Sequence, residues 1–471
     1  MKKQLLALFT LSLSFTIQAQ ITQVKEINDN GTSSSLPANL YTFNGKIYFA
    51  ADDSNGSNTP GGADLGKELW VTDGTEAGTT FVKDLNTGAA SSSPTGFFEY
   101  NNTLYFSANN GTSSVLFSTD GTESGTNATG HPFVFNPIET GGLVYFVLTT
   151  DSNKLYQFDD TNTSPVTNNG TGTEALVGAH FTAFNNKLLC YMDYSEDEPT
   201  IGRELYEYNP STGLFTLIKD IDEGTGDSSI SNFTVVNNEV FFKADDALWK
   251  TDGTNTGTVA VENASSLSGI NNFFAWNNIL YFEADNGTSE DQLWAYNPNT
   301  DAISNISNIT GGASNDHDPS DYAILGDYLY YAGEVADDTA QYLFRTDGST
   351  SERVDSNIKD IDDLVVLNDK LYFEGDNGTT GNELYSFDPA TLSTSSSSFE
   401  IISVYPNPAT DYIMVPTSLL NKDFSIYSSS GNLIKKGIIS SEKINLNLNS
   451  GLYLIKIESN NNILTKKVLI K

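Results

Sequence analysis

The chain has 471 residues, with 60 Asp or Glu against 24 Lys or Arg and a formal net charge of −36. So acidic a surface repels phosphate backbones and excludes nucleic acid as a partner. One Cys excludes an internal disulfide framework and any multi-Cys metal site, while 23 Tyr, 27 Phe and 4 Trp supply enough large rings to build a core.

Lys2 and Lys3 precede an apolar stretch from Leu5 to Ile17, and polar residues resume at Thr22 after Ala19 and Gln20. This is the pattern of a cleaved secretory signal over residues 1–19. The stretch is shorter than the ~20 apolar residues a membrane span needs. No later apolar run reaches that length, so the mature chain is expected to carry no transmembrane segment.

Residues 21–392 are repetitive. A short aromatic strand after an Asn-rich turn recurs with centres at Tyr48, Tyr105, Tyr145, Leu189, Phe241, Tyr281, Tyr330 and Tyr372. A second landmark alternates with it: Leu69-Trp70, Leu116-Phe117, Leu155-Tyr156, Leu205-Tyr206, Leu248-Trp249, Leu293-Trp294, Leu343-Phe344 and Leu384-Tyr385. Each unit reads as four short strands, with Asn-Gly or Asn-Asn turning the first into the second and Asp-Gly turning the third into the fourth. Those dipeptides supply the positive φ that tight hairpins require. Four-stranded units of this length, repeated without helical periodicity, predict a β-propeller, all-β throughout. The landmarks count eight blades, or seven if the divergent unit around Tyr145 to Asp160 merges with a neighbour. Trp70, Trp249 and Trp294 are expected to pack between blades.

The ends of the array predict closure. Lys83-Asp84-Leu85-Asn86 and Lys219-Asp220-Ile221-Asp222 recur in fourth strands, yet the last unit runs from Phe387 into a Ser-rich stretch without one. The same signature, Lys25-Glu26-Ile27-Asn28, stands just after the signal. The segment around Gln23 to Ile27 is therefore expected to complete the last blade, which removes an open sheet edge.

Residues 393–400 form a Ser-rich linker, and residues 401–471 hold eight Lys against four acids, so the segment before them is more acidic than the whole chain. Short alternating strands there predict a small β-sandwich.

Two resemblances follow. Glu68-Leu69-Trp70-Val71-Thr72-Asp73-Gly74-Thr75 matches in full the motif of the ELWxxDGT-repeat family, which implies a repeat architecture and no catalytic assignment. The tail resembles the type A C-terminal sorting domain of the type IX secretion system, through Pro406-Asn407-Pro408-Ala409-Thr410-Asp411, Gly431 in its strand–turn segment, Gly451-Leu452-Tyr453, and Lys466-Lys467. That resemblance implies partners in the type IX translocon and its sortase. It also implies an address outside the cell or on the outer surface of a Gram-negative bacterium.

Catalytic patterns are absent from the sequence. His131, His180 and His317 form no metal-binding pair, and His317, between Asp316 and Asp318, reads as a solvated loop residue. Cys190 replaces Phe49 and Phe106 of other units and is expected to be buried. Asp52, Asn109, Thr149, Asp193, Asp245, Asp285, Glu334 and Asp376 occupy equivalent positions after the second strand and form an acidic column. Asp84 with Asn86 and Asp220 with Asp222 are weak Ca²⁺-loop candidates, and no other cofactor is expected. The preferred function is a non-enzymatic glycan- or protein-binding module. The alternative is a polysaccharide-acting enzyme with a carboxylate pair in the channel.

A reporter fused to residues 395–471 and given a secretory signal should reach the cell surface. Retention in the periplasm, scored by surface labelling, contradicts the sorting assignment.

Overall fold

The computed structural model describes residues 21–167, 176–193, 201–287, 290–389, 408–428, 433–459 and 462–471. The expected signal, the linker, and Pro406, Asn407 and Gly431 lie outside the described residues. Two compact units divide between Leu392 and Ser393.

The first unit is a ring of antiparallel four-stranded meanders. The opening one runs Ala38–Phe43, Lys46–Asp52, Lys67–Thr72 and Thr80–Lys83, in spatial as well as sequence order. Asn44, at φ 47°, and Gly45 make the first hairpin possible. Six sheets of this part have four strands; a seventh has eight, because two successive meanders share the single pair Lys154–Leu176. Each first strand touches the first strand of the next meander, and Lys359–Leu367 touches Ala38–Phe43. The first strands thus line the channel, and the β-propeller class follows from this closed order.

Closure takes the expected route. Ile21–Lys25 pairs antiparallel with Asn382–Phe387, with Ile21 opposite Phe387 and Gln23 opposite Tyr385. Ile27 is fully buried against Trp70, Leu367 and Tyr372, so the chain's beginning helps make the last joint of the ring.

Apolar clusters straddle neighbouring meanders. Trp70 packs with Tyr372 and Leu384 of the last one, and Trp294 with Phe241 and Leu248 of the preceding one. The two landmarks belong to one contact. Gly74 of Asp-Gly-Thr, at φ 91°, lies under the Tyr372 hydroxyl, and Gly121 lies under the Tyr48 hydroxyl in the same manner; a Cβ at either would collide with that hydroxyl. The turn also closes on itself. Asp73 Oδ1 accepts from Thr75 N at 2.9 Å and Thr75 Oγ1 at 2.7 Å, while the Gly74 N–H donates to Thr72 Oγ1 at 2.9 Å. Asp120 and Asp252 repeat the arrangement.

Every first strand carries a register irregularity. At seven of them a left-handed residue supplies the bulge: Asn39, Gly96, Asn136, Asn232, Asn272, Asp321 and Asp363. Asn39 Nδ2 donates to Pro94 O and Asn272 Nδ2 to Pro319 O, so the bulge reaches the next meander's entry.

The second unit is a small β-sandwich. Its larger sheet orders Leu433–Ile438, Asp423–Ser428, Gly451–Ser459 and Asn462–Ile470; the smaller pairs Tyr412–Met414 with Lys443–Asn445. Ile413, Phe424, Ile426, Ile444, Ile455 and Val468 fill the space between them. Ala409, in the opening motif, bridges to Ile470.

Deleting residues 21–30 exposes the edge of Asn382–Phe387 and removes donors from the buried Glu383. We expect a loss of at least ~3 kcal/mol of stability, read by urea unfolding. An unchanged midpoint contradicts the closure.

Candidate functional site in the joints between blades

The Glu of Glu-Leu-Trp is buried, and its carboxylate ties a joint. Glu68 Oε2 accepts from Leu85 N at 2.8 Å, where the fourth strand ends, and from Ser92 Oγ at 2.6 Å; Oε1 accepts from Ser92 N at 2.8 Å. Glu383 receives Ile27 N, Asn28 N and Ser35 Oγ in the same pattern, and Glu204 receives Ile221 N and Asp222 N. The entry segment then crosses to the next meander: Asp52 N donates to Ser35 O, Asn109 N to Ser92 O, and Asp245 N to Ser228 O. Burial pushes Glu68, Glu204 and Glu383 up from 4.5 to about 7, against the pull of these hydrogen bonds.

The acidic column expected from sequence therefore begins at the joints. Its main chain is structural at Asp52, Asn109, Asp245 and Glu334, whose N–H groups each hold an entry segment. The weak Ca²⁺-loop residues serve turns: Asp84 Oδ2 accepts from Gly88 N at 3.1 Å, Asp220 Oδ2 from Gly224 N at 3.5 Å, and Asn86 Nδ2 donates to Ser91 O. Asp222 is exposed. Neither loop gathers three carboxylates or imidazoles among the described residues. Cys190 is buried as expected, and burial pushes its thiol up.

His317 is a correction. The expected solvated loop residue is fully buried. It occupies the entry-segment position that Ser35, Ser92 and Ser228 hold elsewhere: its N–H donates to Asp291 O and its carbonyl accepts from Glu334 N. Its Nδ1 lies 2.6 Å from Glu334 O and its Nε2 3.0 Å from the Tyr331 hydroxyl. Nδ1 can only donate to a carbonyl; burial holds the ring down at about 4, so it is neutral at pH 7 and Nε2 accepts from the Tyr331 hydroxyl. Gly333 leaves the space the ring fills. In the same joint, Gln292 replaces the clamp glutamate and accepts from Ile309 N at 2.7 Å and Ser307 Oγ at 2.9 Å.

Around this altered joint, sequence reasoning missed a convergence of acids. Glu283, Asp291 and Asp318 bring one carboxylate oxygen each within 4.8 Å of one another, and Asp316, Asp318 and Glu334 do the same. Burial, with neighbouring acids adding to it, raises Glu283 and Glu334 to about 7 and Asp291 to about 6. A third group, Asp321, Asp362 and Asp363, belongs to the channel-lining strands. Burial raises Asp321 to about 6 there, next to the exposed Asp362.

Two cavities open nearby and elsewhere on the ring. One, of about 350 Å³, has Asp321, Asp360, Asp362, Glu374, Gln341 and Asn382 in its wall. The other, of about 390 Å³, lies between the first two meanders and is lined by Phe43, Tyr48, Asn44, Asn102, Thr103 and Ser118. Lys46, Thr119, Asp120 and Gly125 complete its lining.

Comparison with known proteins agrees with the tail's reading. Residues 403–471 match the family described as the secretion system C-terminal sorting domain. The chain is thus an exported, outer-surface β-propeller protein carrying a type IX secretion sorting domain, and it engages that secretion machinery. No curated protein matches the chain significantly. Among solved structures it is similar to PorZ, a surface component of the type IX secretion system of Porphyromonas gingivalis, at 11% identity and TM-score 0.36, covering 92% of this chain and 75% of that one. It is also similar to an oligogalacturonate lyase in complex with manganese, at 13% identity and TM-score 0.45, covering 77% and 100%. A third is the β-propeller domain of the trilobed protease from Pyrococcus furiosus, at 11% identity and TM-score 0.42, covering 69% and 97%. No helix among the described residues is long and apolar enough to cross a membrane.

The clamp glutamates set a pH dependence. Their folded values exceed 4.5, so the stability they contribute is present below about pH 4.5 and is lost as pH rises through about 7. Thermal midpoints in chelator should fall between pH 5 and pH 8. Glu68→Gln, which installs the amide that Gln292 already provides at its own joint, should flatten that fall. An identical slope in the variant contradicts the assignment.

Proposed function

We propose that the chain is an eight-bladed propeller of ELWxxDGT-type repeats that acts outside the cell as a non-catalytic binding module for a glycan. In this reading residues 1–19 direct passage through the inner membrane. The sorting domain hands the chain to the translocon, and the sortase cuts within residues 393–400, leaving the propeller released or attached at the surface. The eight-stranded sheet counts as two blades that share one residue pair.

The observation that carries the binding reading is the cavity between the first two meanders. Amides and hydroxyls from Asn44, Asn102, Thr103 and Ser118 ring it, and one lysine offsets one aspartate. In a chain of net charge −36 this wall is nearly neutral. Hydroxyl-rich neutral sugars present matching donors and acceptors, while an anionic ligand would meet the acidic surface around it.

A second reading has its own observation. The channel-side cavity holds Asp321, raised to about 6, beside exposed Asp362, and unequal carboxylates in one pocket are how acid and base roles separate in glycoside hydrolysis.

A glycan array followed by product sizing with the polymers that bind separates the two. We expect retention without chain shortening, and at least ~10-fold weaker binding by Asn102→Ala. Shortened products that Asp321→Asn abolishes overturn the binding reading in favour of the enzyme.

A further inference from the structure

We propose that the joint at His317 is a calcium site, with Asp316, Asp318 and Glu334 as its primary ligands and Glu283 and Asp291 supporting from the preceding meander. This goes beyond the glycan reading and does not depend on it.

The backbone aims the ligands. His317 points into the core and is fixed there at both ring nitrogens. Asp316 and Asp318, on either side of it, bring carboxylate oxygens within 4.8 Å of each other. The His317 carbonyl holds Glu334 N at 2.7 Å and brings the third carboxylate to the same place. Asp318, at φ 40°, belongs to both acid triplets and so bridges the two meanders.

The charge is uncompensated. No Lys or Arg forms an ion pair with any of these five acids among the described residues; the ion pairs lie elsewhere. Glu334 is only 7% exposed, and no described residue donates a hydrogen bond to its carboxylate. Asp316 Oδ1 is also buried without a partner. Buried carboxylate oxygens without donors or counter-charge are costly; backbone groups of His317 and Asp291 serve the Asp316 carboxylate only in part, and it converges with that of Glu334. A cation supplies what both lack.

The donor set selects the ion. All available ligands are carboxylate oxygens, and the imidazole in their midst has both nitrogens engaged. Thiolate- and imidazole-preferring metals are therefore disfavoured, and a hard ion accepting six to eight oxygens fits. Other joints show the contrast. Where Ser35, Ser92 or Ser228 stands at the His317 position, the residues on either side are Ser34 and Leu36, Ser91 and Ser93, or Asp227 and Ser229, and no acid triplet forms there among the described residues.

The test uses the full chain, stripped with chelator and titrated with CaCl₂, followed by calorimetry and thermal unfolding. At a hundredfold excess over Kd the midpoint should rise by about 3–5 °C. Asp318→Asn should abolish the rise and weaken Ca²⁺ binding at least ~10-fold. Because it removes a repulsive charge, it should also melt higher than the wild type in chelator. Glu334→Gln provides a second variant with the same expected pair of effects, and Asp362→Asn, in the channel triplet, should leave the response intact. Absence of any Ca²⁺-dependent rise overturns the proposal. So does a rise that survives in both Asp318→Asn and Glu334→Gln, or one that only Asp362→Asn removes.

Discussion

The ring depends on one buried carboxylate per clamp joint. A meander of four short strands leaves backbone groups open along both its edges and at the segment leading to its neighbour. Glu68, Glu204 and Glu383 meet that need by taking the amides that end a fourth strand and, at Glu68 and Glu383, the serine that begins the next entry segment. A carboxyl group offers two oxygens and accepts several such bonds at once, which is why Glu suits the position. The same residue seals the ring, since Glu383 receives Ile27 and Asn28 from the opposite end of the chain. The Glu-Leu-Trp part of the motif is therefore a clamp, a core leucine and an inter-blade ring, and Asp-Gly-Thr is the turn on which the neighbour's tyrosine rests.

The joint at His317 departs from this rule in a coordinated way. Its clamp is the neutral Gln292, and its entry residue is a neutral imidazole. Charge withdrawn from the clamp and entry positions reappears as carboxylates gathered around them, two of them buried. Asp318 stands at the left-handed position that Leu36, Ser93 and Ser229 occupy elsewhere. A position that merely turns the chain in three joints thus gains a ligand in the fourth.

Much of the ring was legible from local chemistry. Asn-Gly and Asp-Gly marked the hairpins because few other pairs tolerate their φ, and the Lys25-to-Asn28 signature located the closing strand. The clamp was harder to see. Glu68, Glu204 and Glu383 align with Val115, Lys154, Ala247 and Tyr342, so the acid is not part of every copy. The acid triplets were invisible because their members come from separate strands and loops and meet only in the folded ring. His317 looked solvated because it sits between two aspartates, yet its ring turns inward to Glu334 O and the Tyr331 hydroxyl. Aligning the entry segments Ser34-Ser35-Leu36-Pro37 and Asp316-His317-Asp318-Pro319 would have exposed it, since the position before Leu36 is buried serine.

The central claim is that the motif glutamate holds the ring together through backbone amides. Hydrogen exchange at Ile27, Asn28, Leu85 and Ser92 tests it most directly. The account predicts that these amides exchange as slowly as the central strands, and that Glu383→Gln speeds Ile27 and Asn28 together with the strand Ile21–Lys25 while leaving Leu85 and Ser92 protected. Rapid exchange of all four in the wild type, with the strands still protected, would contradict it.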